Sequence, residues 1–161
     1  MPRLVPESGA YAWRRVDHSS SSSSPANNRS LGGAISVTRS RTSADFDRSM
    51  AFYLEALAPL GYEARKRESD MAVFGHKARV VGEDPAGDFF IALGKVLDPP
   101  SHVAFRAASR DEVDAFYRAA LAAGGRSNGP PGLRPRYHAD YYAAFVLDPD
   151  GYNIEAVCHV P

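Results

Sequence analysis

A repeat with an offset of 64 residues constrains this chain more than any other feature. Ala51-Phe52-Tyr53-Leu54-Glu55-Ala56-Leu57 returns as Ala115-Phe116-Tyr117-Arg118-Ala119-Ala120-Leu121, and without a gap the same offset carries Asp84-Pro85-Ala86-Gly87 onto Asp148-Pro149-Asp150-Gly151. Two unrelated signals in one register indicate a duplicated unit, and two copies are too few for a solenoid. The chain should therefore form a pseudo-symmetric domain of two similar modules. Positions that break the symmetry become the candidates for chemistry.

Each copy carries its own helix grammar. Phe46, Met50, Tyr53, Leu54, Leu57 and Leu60 form an apolar stripe at helical spacing from about Asp45 to Leu60, with Asp45 as cap and Gly61 as a left-handed stop. In the second copy Ser109 and Glu112 make a capping box, and Val113, Phe116, Tyr117, Ala120 and Leu121 follow before Gly124-Gly125. Strands are predicted over Tyr62–Lys66, Met71–Gly75, Phe89–Leu93, His102–Ala107, Tyr141–Leu147 and Asn153–Val157. Ser127–His138, rich in Gly and Pro, reads as a long loop. The fold class is α+β: each half reads as βαβββ, with curved sheets and helices outside. Residues 1–33, with a Ser19–Ser24 tract, read as a disordered or poorly packed arm, 34–98 as the first module and 99–161 as the second.

Charge excludes one class of partner. Residues 1–44 hold six Arg against Glu7 and Asp17, a net of +4, so within a chain of formal charge zero the remainder carries −4. No basic face is left to neutralise phosphates, which argues against nucleic acid. No apolar run approaches membrane-spanning length and no signal-peptide core appears, so neither a membrane nor secretion is expected. The lone Cys158 cannot form an internal disulfide and suits a reducing compartment, the cytoplasm. The Arg- and Ser-rich, acid-poor arm keeps the mitochondrial matrix as the alternative.

His102-Val103-Ala104-Phe105, the helix around Ala115-Phe116-Tyr117, and the run from Tyr141 to Val157 with its Asp148-Pro149-Asp150-Gly151 turn together resemble the vicinal oxygen chelate superfamily, which includes glyoxalase I, bleomycin-resistance proteins and extradiol dioxygenases. The resemblance covers roughly residues 45–159. It implies that the two βαβββ modules pair into a curved-sheet cup around a divalent metal (Zn, Ni or Fe) ligated from the opening strand of each module and from a closing strand; bleomycin-resistance proteins use a related cup with no catalytic metal. Carried over by position, His102 is an opening-strand ligand and Glu155 a closing-strand ligand. The repeat offset makes Thr38 and Ile91 their counterparts in the first module, and neither is a credible ligand. An ionised Glu155 between Ile154 and Ala156 would be costly to bury without a cation or donors, so the inert reading pairs it with Arg106 or an amide instead.

The first opening strand is anomalous. The repeat puts Arg39 and Arg41 where Val103 and Phe105 pack, which predicts either a strand slipped back onto Ala34–Val37 or an interrupted segment. Val16-Asp17-His18 resembles the family's lead into its first metal histidine but lies 20 residues too early. An insertion, such as a retained intron, would account for both observations and makes His18 a displaced third ligand.

Further candidates surround the expected cup. Arg106, on the strand face of His102, suits a substrate carboxylate. The loop Arg134-Pro135-Arg136-Tyr137-His138 supplies Arg136 for substrate and His138 as a base, and Tyr142 supplies a phenol for an oxyanion. Glu155 doubles as a catalytic base. The expected function is metal-dependent isomerase or lyase chemistry, or dioxygenase-type chemistry, on a small oxygenated substrate. The alternatives are metal-free small-molecule binding and a degenerate, inactive paralogue. A homodimer is compatible with the resemblance and not demanded by it.

Overall fold

The computed structural model describes residues 39–78 and 84–161. The expectations for the arm, for His18, for Thr38 and for a strand at Ala34–Val37 lie outside the described residues. Strand β1 (Arg39–Ser43), helix α1 (Phe46–Leu57), and strands β2 (Tyr62–Arg67), β3 (Met71–His76) and β4 (Phe89–Leu93) are followed by β5 (His102–Arg106), α2 (Arg110–Ala122), β6 (Arg126–Leu133), β7 (Tyr142–Leu147) and β8 (Asn153–Cys158). Each half is thus βαβββ. The strands form two separate four-stranded sheets, ordered β1-β4-β3-β2 and β5-β8-β7-β6, with the opening strand parallel to the closing one in both. This is the α+β fold of paired modules expected from the repeat. Among the described residues, no helix is long and apolar enough to cross a membrane.

Local sequence accounts for the helices. Asp45 accepts the Arg48 amide at 3.1 Å and Ser109 accepts the Glu112 amide at 3.2 Å. Glu112 reaches back past the cap and accepts the Ala108 amide at 2.7 Å. A 3-10 turn, Ala58–Leu60, ends the first helix at Gly61, whose φ of 77° is the left-handed stop.

The structure also explains why the repeat has no gap. β2 and β6 start 64 residues apart (62 and 126), β3 and β7 start 71 apart (71 and 142), and β4 and β8 again start 64 apart (89 and 153). Seven residues gained before β7 are thus lost again before β8. The longer β6–β7 connection, Arg134–Tyr141, replaces the short Glu68–Asp70 turn of the first module. Both Asp-Pro-X-Gly segments fold alike: Asp84 and Asp148 each accept the amide two residues on, at 2.8 and 2.9 Å, and each Gly amide closes the turn at 3.0 Å.

The modules share one apolar core. Phe105 of β5 packs edge-on against Phe89 of β4 and Tyr62 of β2, both at 5.2 Å. Tyr53 of α1 lies 5.0 Å from Phe89, and α1 packs against α2. Each fully buried Phe contributes about 1.5–3 kcal/mol. Val103, Phe105, Ile154, Ala156, Ala144 and Val146 all face this core. By strand alternation His102, Ala104, Arg106, Phe145 and Glu155 occupy the opposite, outer face of the second sheet.

Three sequence expectations need correction. Ser127–His138 is not a loop throughout, because it contains most of β6. Pro130 and Pro131 are tolerated there because β6 is an edge strand, and register shifts around Gly129 absorb the missing donors. Ile91 is not the positional counterpart of Glu155: it faces the core, and its outer-face neighbours are Phe90 and Ala92, also without ligand atoms. The opening strand of the first module occupies the register given by the repeat, and it buries Arg41 to 7% exposure. The Arg41 guanidinium lies 5.4 Å from the centre of the Tyr152 ring, and Nη1 donates to the Ser40 carbonyl at 2.6 Å.

Candidate functional site

The parallel pairing of β5 with β8 sets His102 opposite Asn153 and Ala104 opposite Glu155. Two outer-face side chains 53 positions apart in sequence thereby become neighbours, with His102 Nε2 2.9 Å from Glu155 Oε2. Glu155 is 4% exposed, yet both its oxygens are engaged, since the Tyr141 hydroxyl donates to Oε1 at 2.6 Å. Burial and the bond to Glu155 push the Tyr141 phenol well above its ordinary pKa, which keeps it a donor at neutral pH.

The neighbouring amides fix the histidine tautomer. Asn128 Nδ2 donates to Asn153 Oδ1 at 3.1 Å, so Asn153 turns its own Nδ2 to His102 Nδ1 at 2.7 Å. Nδ1 therefore accepts, and in the neutral ring Nε2 carries the proton shared with Glu155. The result is a continuous array, Asn128–Asn153–His102–Glu155–Tyr141, across the outer face.

An imidazole nitrogen and a carboxylate oxygen 2.9 Å apart match two adjacent corners of a coordination shell with bonds of about 2.1 Å. A divalent ion would take the place of the shared proton. The donor chemistry suits a borderline metal such as Zn²⁺, Ni²⁺ or Fe²⁺, but the count is short by one: catalytic sites of this kind use three protein ligands, and no group of three or more His, Cys, Asp or Glu gathers among the described residues. The pair fits as part of a metal site.

The remaining candidates disperse. Tyr142 faces α2, where its hydroxyl donates to Asp114 at 2.9 Å and Arg110 lies over its ring, so it stands apart from the array. His138 bonds His159 through Nε2 at 2.9 Å and packs edge-on to Tyr141 at 5.3 Å, one residue removed from Glu155. Arg136, exposed on the β6–β7 connection, donates to the Tyr137 hydroxyl at 3.1 Å. Arg106 does not pair with Glu155; it lines a cleft at the seam of the two modules that neither His102 nor Glu155 enters. Asn128, Asn153 and Tyr141, which complete the array, were not among the site candidates read from sequence. Alternation with Ala143 and Phe145 was the available signal for Tyr141.

Residues 37–156 match the model of the Glyoxalase/Bleomycin resistance protein/Dioxygenase superfamily. The chain belongs to that family. Among solved structures it is similar to a glyoxalase/bleomycin resistance protein from Albidiferax ferrireducens T118, at 26% identity and a TM-score of 0.62, over 79% of this chain and 100% of that one. A glyoxalase-related enzyme from Fulvimarina pelagi shares the fold at 18% identity and a TM-score of 0.57, over 76% and 86% of the two chains. A glyoxalase I mutant from Zea mays shares it at 19% identity and a TM-score of 0.52, over 75% of this chain and 43% of that one. No curated protein matches the chain.

Proposed function

We propose that this family member binds a divalent metal through His102 and Glu155 and uses it on a small oxygenated substrate, in isomerase- or lyase-type chemistry. The reading rests on the 2.9 Å approach of His102 Nε2 to Glu155 Oε2 on an outer sheet face. When bound, the ion supplies Lewis acidity to neighbouring substrate oxygens. The chain's own residues prepare the site: Asn153 orients the imidazole, Tyr141 holds the far carboxylate oxygen, and Phe145, directly across from Glu155 on β7, contributes an apolar wall. The third ligand comes from outside the described residues, with His18 as the candidate within this chain, or from a second copy in a homodimer. The free Cys158 suits a reducing compartment, and the cytoplasm is the proposed one.

Elemental analysis of purified, reconstituted protein tests this. About one ion per chain is expected, with loss in both His102→Ala and Glu155→Ala. Intact protein that takes up no stoichiometric metal rejects the reading.

A second reading, metal-free binding of a small molecule, draws on one observation: both Glu155 oxygens already have donors, so the carboxylate is satisfied without a cation. It predicts ligand-induced thermal stabilisation that EDTA leaves unchanged.

A further inference from the structure

We propose that the cleft at the seam of the two modules is an oxyanion site, taking a small carboxylate or phosphate separately from the His102–Glu155 face. The cleft has a volume of about 670 Å³, the size of an ordinary small-molecule pocket. Its walls come from both halves: Gly61, Tyr62 and His76 from the first, Arg106, Glu112 and His159 from the second.

Two of these side chains, Arg106 and His159, present donors, and His76 adds one in one of its tautomers. Arg106 is exposed and makes no ion pair or hydrogen bond among the described residues, so its whole fork of N–H groups is available. His76 Nδ1 lies 3.2 Å from both the amide and the carbonyl of Ala78, so it accepts from one or donates to the other, and Nε2 carries a hydrogen in the first of these tautomers. Its Nε2 packs on Gly61, where an added Cβ would fall 2.6 Å from it.

His159 is fixed by a relay. The Asp140 amide donates to His138 Nδ1 at 3.2 Å, which places the His138 proton on Nε2. His138 Nε2 then donates to His159 Nδ1 at 2.9 Å and leaves the hydrogen of His159 on its own Nε2. Glu112 is the carboxylate in the wall, and Oε2 is held by the Ala108 amide at 2.7 Å. A guanidinium and an imidazole N–H around one concavity, with a second imidazole able to join them, suit an oxyanion.

Titration of the full-length protein with inorganic phosphate and, separately, with succinate, at constant ionic strength and followed by NMR shift perturbation, tests the assignment. Saturable binding of at least one anion is expected, with the stronger of the two identifying the group. Arg106→Gln should weaken it at least tenfold and His159→Gln severalfold. His102→Ala should leave it unchanged, so the outcome is independent of metal binding at the other face. Circular dichroism confirms that the variants fold. Absence of saturable binding, wild-type affinity in Arg106→Gln, or an equal loss in His102→Ala would overturn the proposal.

Discussion

The Tyr53 hydroxyl of α1 donates a 2.6 Å hydrogen bond to Asp148 Oδ2, joining the helix of the first module to the closing turn of the second. Both residues are at most 2% exposed. Asp148 Oδ1 accepts the amides of Asp150 and Tyr152, and Asp150 in turn accepts Ser49 Oγ at 2.9 Å and Arg48 at 3.0 Å. The repeated turn is therefore also a clasp between the halves. Tyr53→Phe strands a buried carboxylate oxygen and should cost about 1–3 kcal/mol in urea unfolding. A loss below about 0.5 kcal/mol would show the clasp to be energetically idle.

Asp148 also sets a pH dependence. Burial raises its carboxyl above the ordinary 3.8 despite three donors. Between that value and the raised one, the folded chain holds a proton that the unfolded chain has released. The contribution of this group to stability is therefore present at low pH and lost as pH rises through the window. Asp148→Asn removes the effect, so across about pH 3–7 the wild type should gain stability relative to Asp148→Asn on acidification. Unfolding free energies whose difference is flat or slopes the other way contradict this.

The site's second layer separates two adjacent tyrosines. Tyr141 holds Glu155, whereas Tyr142 bonds Asp114 on the α2 side. If Glu155 ligates a metal as proposed, Tyr141→Phe should weaken metal binding about 10–100-fold, the usual effect of losing a partner of a metal ligand. Tyr142→Phe should leave it within a factor of about two, because it removes no contact to the array. Competition titration with a chromophoric chelator measures both, and equal effects would dissolve the distinction.

Legibility in the sequence followed the range of the interactions. The helices were readable because caps and stripes are local, and the two Asp-Pro turns because an Asx turn needs only four residues. The neighbourhood of His102 and Glu155 was readable through the duplication and the family likeness. Strand β6 was hidden because Pro130 and Pro131 argue against a strand unless the edge position is known. Ile91 was misassigned because a constant offset cannot show a one-residue change of face between the turn and the strand. The link from Tyr141 to Glu155 and the pairing of His138 with His159 depend on how a loop closes over β8, and no periodicity reports that.

The duplicated turn offers an internally controlled test, since its two glycines occupy the same place in different surroundings. Gly87 and Gly151 both have positive φ, at 119° and 91°. At Gly151 an added Cβ meets nothing within 4 Å, so Gly151→Ala carries only the backbone penalty of about 1–2 kcal/mol. At Gly87 the same Cβ would fall 2.2 Å from the carbonyl oxygen of Phe74, an atom fixed in β3 and already accepting the Asp88 amide at 3.1 Å. The chain there must move, and the hydrogen bond that starts β4 must lengthen or break. Gly87→Ala should therefore destabilise by at least about 1 kcal/mol more than Gly151→Ala in parallel thermal or urea unfolding. If the two variants unfold together, the tight approach of the first turn to β3 is not a feature of the folded protein, and the two copies of the turn are equivalent in packing as well as in hydrogen bonding.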